Sequence, residues 1–335
     1  MAESTSPTNT NSNTKPNLDG VDIPIRGDSQ PEDNRPVFFF DIDNCLYPRS
    51  YKIHEMMKEL IQQYFVNHLE LTKEHAAYLR RYYYTQYGLA LSGLVLHHSI
   101  NVLTYNSLVD DALPLTKILQ PSPSLIHLLS DLRSSNTTSK LWLFTNAYIT
   151  HAKRVVKLLG IEDFFDGVTY CDYVQGEKDG RLMCKPQREM FEKAMHDTGL
   201  VVGRDEGRCF FVDDSIANCV AARRLGWAGV AHLAEPEAEP LVEEGDNGEK
   251  ESEERNIEAE EVAAAKQTEI EKEKERLGIK TITDLSELRV VFPELFRNCG
   301  VPGEEKDRVG HEPLREESPG RQLPKRQETP LPMGT

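Results

Sequence analysis

The apolar positions of the 335-residue chain fall into blocks of different period. Residues 1 to about 35 are rich in Ser, Thr, Asn, Pro and Asp and read as a disordered leader. Val37 to Phe40 follows as a continuous apolar run, the pattern of a strand buried on both faces. From about Ser50 to Leu132 the period becomes helical, with His54, Met57, Leu60, Ile61 and Tyr64 on one stripe. A second helix is predicted over 73–87 with Thr72 as its N-cap, a third over 92–104 and a fourth over 122–133. No strand signal interrupts this stretch, which therefore reads as an all-helical insert over 50–133.

Strands then alternate with helices. Leu141–Thr145, Val168–Tyr170, Cys209–Val212 and Ala228–His232 read as strands. Helices are predicted over 151–159, 187–198 and 217–225, each followed by a glycine suited to a C-cap. Such alternation predicts an α/β fold with a Rossmann-like parallel sheet covered by helices. A Glu-rich stretch follows Leu233, expected to be disordered or in part a solvated helix between 234 and 278. Ile282, Leu285, Leu288, Val291 and Phe292 are expected to form a final helix docked on the sheet. Residues 297–335 read as a disordered tail. The core is thus expected over 36–49, 134–233 and 279–296.

Charge refines this picture. The formal net charge is −16, but 13 acids and 2 bases lie between Glu235 and Glu261. The rest of the chain is near ordinary, and the acidic balance argues against nucleic acid as a partner. No apolar run reaches the roughly 20 residues of a membrane span, and the N-terminus lacks a signal-peptide pattern. A cytosolic or nuclear protein with free thiols is expected, since its six cysteines are scattered without a CxxC pair. Nothing in the residues singles out a protein partner.

The chemistry-bearing residues, Lys185 apart, sit at strand ends. Asp41 and Asp43 follow the first strand, Thr145 and Asn146 the second, and Asp213 and Asp214 the Cys209–Val212 strand; Lys185 precedes Pro186 and a helix. In a parallel sheet, ligands bind beyond these carboxyl ends. Four carboxylates in one crevice repel one another unless a cation offsets them, and an all-oxygen set suits Mg2+. Asp41 is the candidate nucleophile and Asp43 the candidate general acid and base. Thr145, Asn146 and Lys185 are candidates to hold phosphate. Asp214 is the first candidate for a direct metal ligand, with Asp213, Asp41 and Asp43 beside it. Ser215 and Asn218 are expected in support, Asn218 as the holder of a metal-bound water. Each feature alone has a plain explanation as a helix cap or surface residue. In this order, each at a strand end, they are better explained by one site.

Those residues resemble the haloacid-dehalogenase-like hydrolase superfamily: Asp41-Ile42-Asp43 its first motif, Thr145 its second, Lys185 its third and Asp213-Asp214 its fourth. The resemblance implies Mg2+ dependence, an aspartyl nucleophile and a mobile cap, a position occupied here by the helical insert. DIDNCLYP from Asp41, YGLALSGLV from Tyr87, LVDDALPL from Leu108 and FTNA from Phe144 are similar to the fungal pyrimidine 5′-nucleotidases. This narrower likeness implies a nucleoside monophosphate substrate; some relatives act on lysophosphatidic acid or other small phosphomonoesters. Cys45 departs from the superfamily pattern, which has Thr or Val there. A dehalogenase is disfavoured by Asp43, whereas a phosphomutase would keep both aspartates. An inactive scaffold binding partners through its acidic insert would be free to lose Asp41, Asp43 or Lys185. Substrate choice is expected in the cap, where Tyr47, Tyr51, Tyr83, Tyr84 and Tyr87 are candidates to stack on a base. His97, His98 and Asn101 form a second candidate group.

Overall fold

The computed structural model describes residues 33–138, 140–234 and 264–297. The leader, most of the acidic stretch and the tail lie outside the described residues. Six strands form one parallel sheet: β1 Val37–Phe40, β2 Lys140–Phe144, β3 Gly167–Thr169, β4 Cys209–Asp213, β5 Gly229–Leu233 and β6 Lys280–Ile282. Their order is β3-β2-β1-β4-β5-β6. The chain runs outward from β1 through β2 to β3, then returns to the other side of β1 at β4. The strand order therefore reverses beside β1, where open α/β sheets place their ligand crevice.

β1 is buried on both faces, as its unbroken apolar run requires. Phe38 and Phe40 enter one apolar cluster, with α5 (Pro123–Ser135) and α6 (Ile149–Leu159). Val37 and Phe39 enter the other, with α8 (Arg188–Asp197) and α9 (Ile216–Arg224). Phe40 is level with Leu143 on one neighbour and with Val212 on the other. The next residue in each strand is consequently Asp41, Phe144 or Asp213, and this register brings the motifs to one rim.

Four helices follow β1: α1 Ile53–Leu69, α2 Lys73–Tyr87, α3 Ala90–His97 and α4 Val102–Leu108. Thr72 caps α2 by accepting from the His75 N–H. The single helix expected over 92–104 is two. The chain is extended at His98, and Asn101 restarts the helix by accepting from the Thr104 N–H at 2.8 Å. Helix α5 falls within the 50–133 stretch expected to form the insert, yet its Leu125, Leu128, Leu129 and Leu132 lie in the cluster that packs on the sheet. A short helix absent from the sequence reading, α7 Tyr173–Asp179, packs with α4. Gly176 in its middle explains the miss: a Cβ there would sit 2.2 Å from Leu182, so the glycine serves close approach. The final segment also differs. Ile282 belongs to the edge strand β6, not to a helix, and only short helical turns follow, including α11 Leu288–Val291. Helix α10 covers 264–276. No helix among the described residues is long and apolar enough to cross a membrane.

Gly93 fixes the packing of α3 on α2. A Cβ there would lie 2.0 Å from the ring of the buried Tyr83. Replacing Gly93 with Ala should lower stability by about 1–3 kcal/mol through overpacking, read as a lower urea midpoint at unchanged slope.

Candidate active site

Lys185 occupies the centre of the rim. It is 1% exposed, and its ammonium donates to Asp41 Oδ1 at 2.7 Å, Asp213 Oδ2 at 2.7 Å and the Phe144 carbonyl at 2.6 Å. Burial works against its charge, but the carboxylates of Asp213 and Asp41 outweigh it and hold the ammonium above its usual pKa. All three N–H donors are used. Lys185 therefore acts on the crevice through its charge, the role expected of it. The Asn146 amide is likewise engaged, donating to the Lys185 carbonyl at 3.0 Å and accepting from its N–H at 2.7 Å. Asn146 holds the lysine loop by its side chain. Thr145 differs: its hydroxyl accepts from the Ala147 N–H at 3.0 Å and keeps its own O–H to donate.

Asp41, Asp213 and Asp214 each offer a carboxylate oxygen within 4.8 Å of the other two. Burial pushes the Asp41 carboxyl well above its usual range against the pull of Lys185, and the neighbouring carboxylates add to the rise. Burial and Asp213 push Asp214 up to about 7. Carboxylates that suppress one another's ionisation are the arrangement a divalent cation relieves. Beside them the Asn44 amide donates to Asp214 Oδ2 at 3.1 Å, while its own oxygen is buried without a hydrogen-bond donor. This all-oxygen set, with an orphaned acceptor next to it, fits a hydrated Mg2+. Asp213 is the most encumbered of the three. Its Oδ1 accepts from the Ser215 N–H at 2.8 Å and from Asn218 at 3.0 Å, and its Oδ2 from Lys185. Ser215 and Asn218 thus orient Asp213, the Asn218 NH2 group being committed to that carboxylate.

Asp43 corrects one expectation. Its carboxylate is not in the metal-ligating group but turns to Tyr47 and His151. The Tyr47 hydroxyl donates to Asp43 Oδ1 at 2.6 Å, and His151 Nε2 lies 2.7 Å from the same oxygen. Burial would raise the Asp43 pKa, but His151 and Tyr47 together bring it below the usual carboxylate value. Tyr47, expected to read substrate, is thereby assigned a contact with Asp43. His151 was missed by sequence reasoning. It lies on the buried face of α6 with Ala152, Val155 and Val156, so a histidine inside an apolar stripe was the available signal.

The other cap residues are tied within the cap. His97 pairs with the Tyr87 hydroxyl at 2.8 Å and His98 with Tyr83 at 2.9 Å, while Asn101 caps α4. Tyr84 is the cap tyrosine that the charges of the site reach. Its residue surface is 55% exposed, yet burial and the charges of Asp214, Asp213 and Asp41 push its hydroxyl up to about 12, with Arg49 opposing. A phenol lining an open crevice reconciles the two. The Gly88 N–H donates to the Tyr84 carbonyl, and Gly88 abuts the Lys185 carbonyl and Pro186, which sets the end of α2 against the lysine loop.

The haloacid dehalogenase-like hydrolase family model matches residues 36–226, from β1 to the turn after α9. The chain belongs to that family. Phosphate metabolism protein 8 of Saccharomyces cerevisiae is 40% identical over 218 residues, covering 64% of this hydrolase and 66% of the yeast protein, a little under two thirds of its length. A haloacid dehalogenase family hydrolase from Deinococcus radiodurans, solved with phosphate and sodium, is 16% identical. It has a TM-score of 0.39, over 78% of this chain and 96% of that one. L-2-haloacid dehalogenase from Xanthobacter autotrophicus is 15% identical with a TM-score of 0.38, over 79% and 100% of the two chains.

Proposed function

We propose that the hydrolase cleaves a small phosphomonoester through a phospho-aspartate on Asp41, with a pyrimidine nucleoside 5′-monophosphate as its first candidate substrate. The observation that carries this reading is Lys185 bridging Asp41 and Asp213 while Asp214 completes a three-carboxylate group beside them. The nucleotide follows from the DIDNCLYP, YGLALSGLV, LVDDALPL and FTNA segments; the 40% identity to a yeast phosphate metabolism protein fits a phosphorylated substrate.

Asp41 attacks phosphorus, and the bond to the leaving oxygen breaks with its electron pair passing to that oxygen. Asp43 gives that oxygen a proton. Water then attacks the phospho-aspartate, Asp43 takes its proton, and Asp41 departs as a carboxylate with release of phosphate. The low pKa of Asp43 suits the second half; the approaching phosphate dianion opposes its ionisation and favours the proton needed in the first. Thr145 donates to a phosphate oxygen, and Lys185 offsets the charge that Asp41 and phosphate bring together. Asp41 and Asp214, with Asp213 behind them, would hold a Mg2+, which when bound would supply positive charge against the phosphate oxygens.

Treatment with EDTA should abolish phosphate release from p-nitrophenyl phosphate and from UMP, and added Mg2+ should restore it. Full activity in the chelated protein would remove the metal from the proposal. A panel of nucleotides, sugar phosphates and lysophosphatidate, ranked by kcat/KM, tests the substrate. A highest value for lysophosphatidate would replace the nucleotide assignment.

A further inference from the structure

We infer that His151 is a positioning residue for Asp43: with Tyr47 it occupies one oxygen of that carboxylate, so that the transferable proton is confined to the other. The inference rests on the role of Asp43 proposed above. Both donors converge on the same atom, Oδ1, at 2.6 Å from Tyr47 and 2.7 Å from His151. A carboxyl oxygen has two lone-pair directions in its plane, and two donors fill them. A proton carried by Asp43 must then sit on Oδ2. In the first step it passes from Oδ2 to the leaving oxygen, and in the second Oδ2 recovers one from water.

The surroundings of His151 favour it as a donor. It is 0% exposed and lies in the first turn of α6, where the helix dipole disfavours a cation. Asp43 on one side and the buried Asp110 on the other offset this; Arg154 opposes them. Asp110 is itself fixed by the Tyr173 hydroxyl at 3.1 Å. The link runs from α7 through Asp110 and α6 to the turn after β1.

General acid assistance matters most for poor leaving groups, so the test compares kcat/KM for phenyl phosphate and p-nitrophenyl phosphate. This ratio of constants reports events through the first transfer. His151→Leu should lower kcat/KM for phenyl phosphate about 30-fold and for p-nitrophenyl phosphate no more than about threefold, a part of the roughly 10²–10⁴-fold that general acid–base catalysis contributes, since Asp43 itself remains. His151→Gln, whose amide reaches the Nε2 position, should restore most of the loss. His151→Asn, too short to reach Asp43, and Tyr47→Phe should repeat the selective loss and serve if the leucine variant does not fold. An equal loss on both substrates, no loss, or failure of the glutamine to restore would overturn the inference. Asp43→Asn separates it from the reading beneath. If Asp43→Asn shows no leaving-group selectivity, the acid role falls. If it does and the folded His151 and Tyr47 variants do not, only the positioning role falls.

Discussion

Replacing Asp41 with Asn should lower kcat by on the order of 10⁵-fold, the scale seen when a covalent nucleophile is removed from a hydrolase. The fold should survive, because the amide is nearly isosteric and Lys185 keeps Asp213 and the Phe144 carbonyl as partners. Thermal stability should hold or rise. Asp41 is a buried carboxylate whose ionisation is opposed by burial and by Asp213, Asp214 and Asp43, so a neutral side chain removes repulsion. Rapid acid quenching with 32P-labelled substrate should trap label on the wild-type protein and none on the variant. Equal turnover by the two proteins would end the phospho-aspartate mechanism. A variant that is inactive because it is unfolded would be recognised by its melting curve.

Much of this site was legible from position alone. Val37–Phe40 is so apolar that it can only be a central strand, and Asp41 must then stand at its end. Register did the rest: Asp41 donates its N–H to the Val212 carbonyl at 3.0 Å, which levels it with Asp213. What position could not supply was the direction of each side chain. Asp43 looks like a fourth ligand from spacing, yet its carboxylate is drawn away by Tyr47 and His151, and no local signal shows a partner 108 residues distant. Lys185 was expected to hold phosphate, but its three donors are taken by Asp41, Asp213 and the Phe144 carbonyl; the Asn146 side chain is tied to the Lys185 backbone, which leaves only its main chain to face a ligand. A buried ammonium must satisfy its hydrogen bonds before any ligand arrives. Edge elements were hardest to read. Lys280–Ile282 is three residues long and mostly exposed, so its pairing with β5 leaves little hydrophobic pattern.

The same buried ammonium sets the largest expected effect on stability. Lys185→Met keeps most of the side-chain volume, and its thioether would still pack beside Phe144 and Phe211, whose ring centres lie 5.0 and 5.5 Å from Nζ. It leaves Asp41 and Asp213 facing each other without the cation that joined them. Removing one member of a buried ion pair typically costs about 3–5 kcal/mol, because the remaining charge stays desolvated and uncompensated. Chemical denaturation of the metal-free protein should show a loss of that size. Adding Asp213→Asn should recover part of it. The amide oxygen can still accept from the Ser215 N–H and Asn218, while one of the two facing charges is gone. Activity should not return with stability, since the charge beside the nucleophile is absent in both variants. A Lys185→Met protein as stable as wild type would mean that the two carboxylates are already neutral when the lysine is absent. A double variant that regains both stability and turnover would mean that Lys185 is a structural tie with no part in the chemistry.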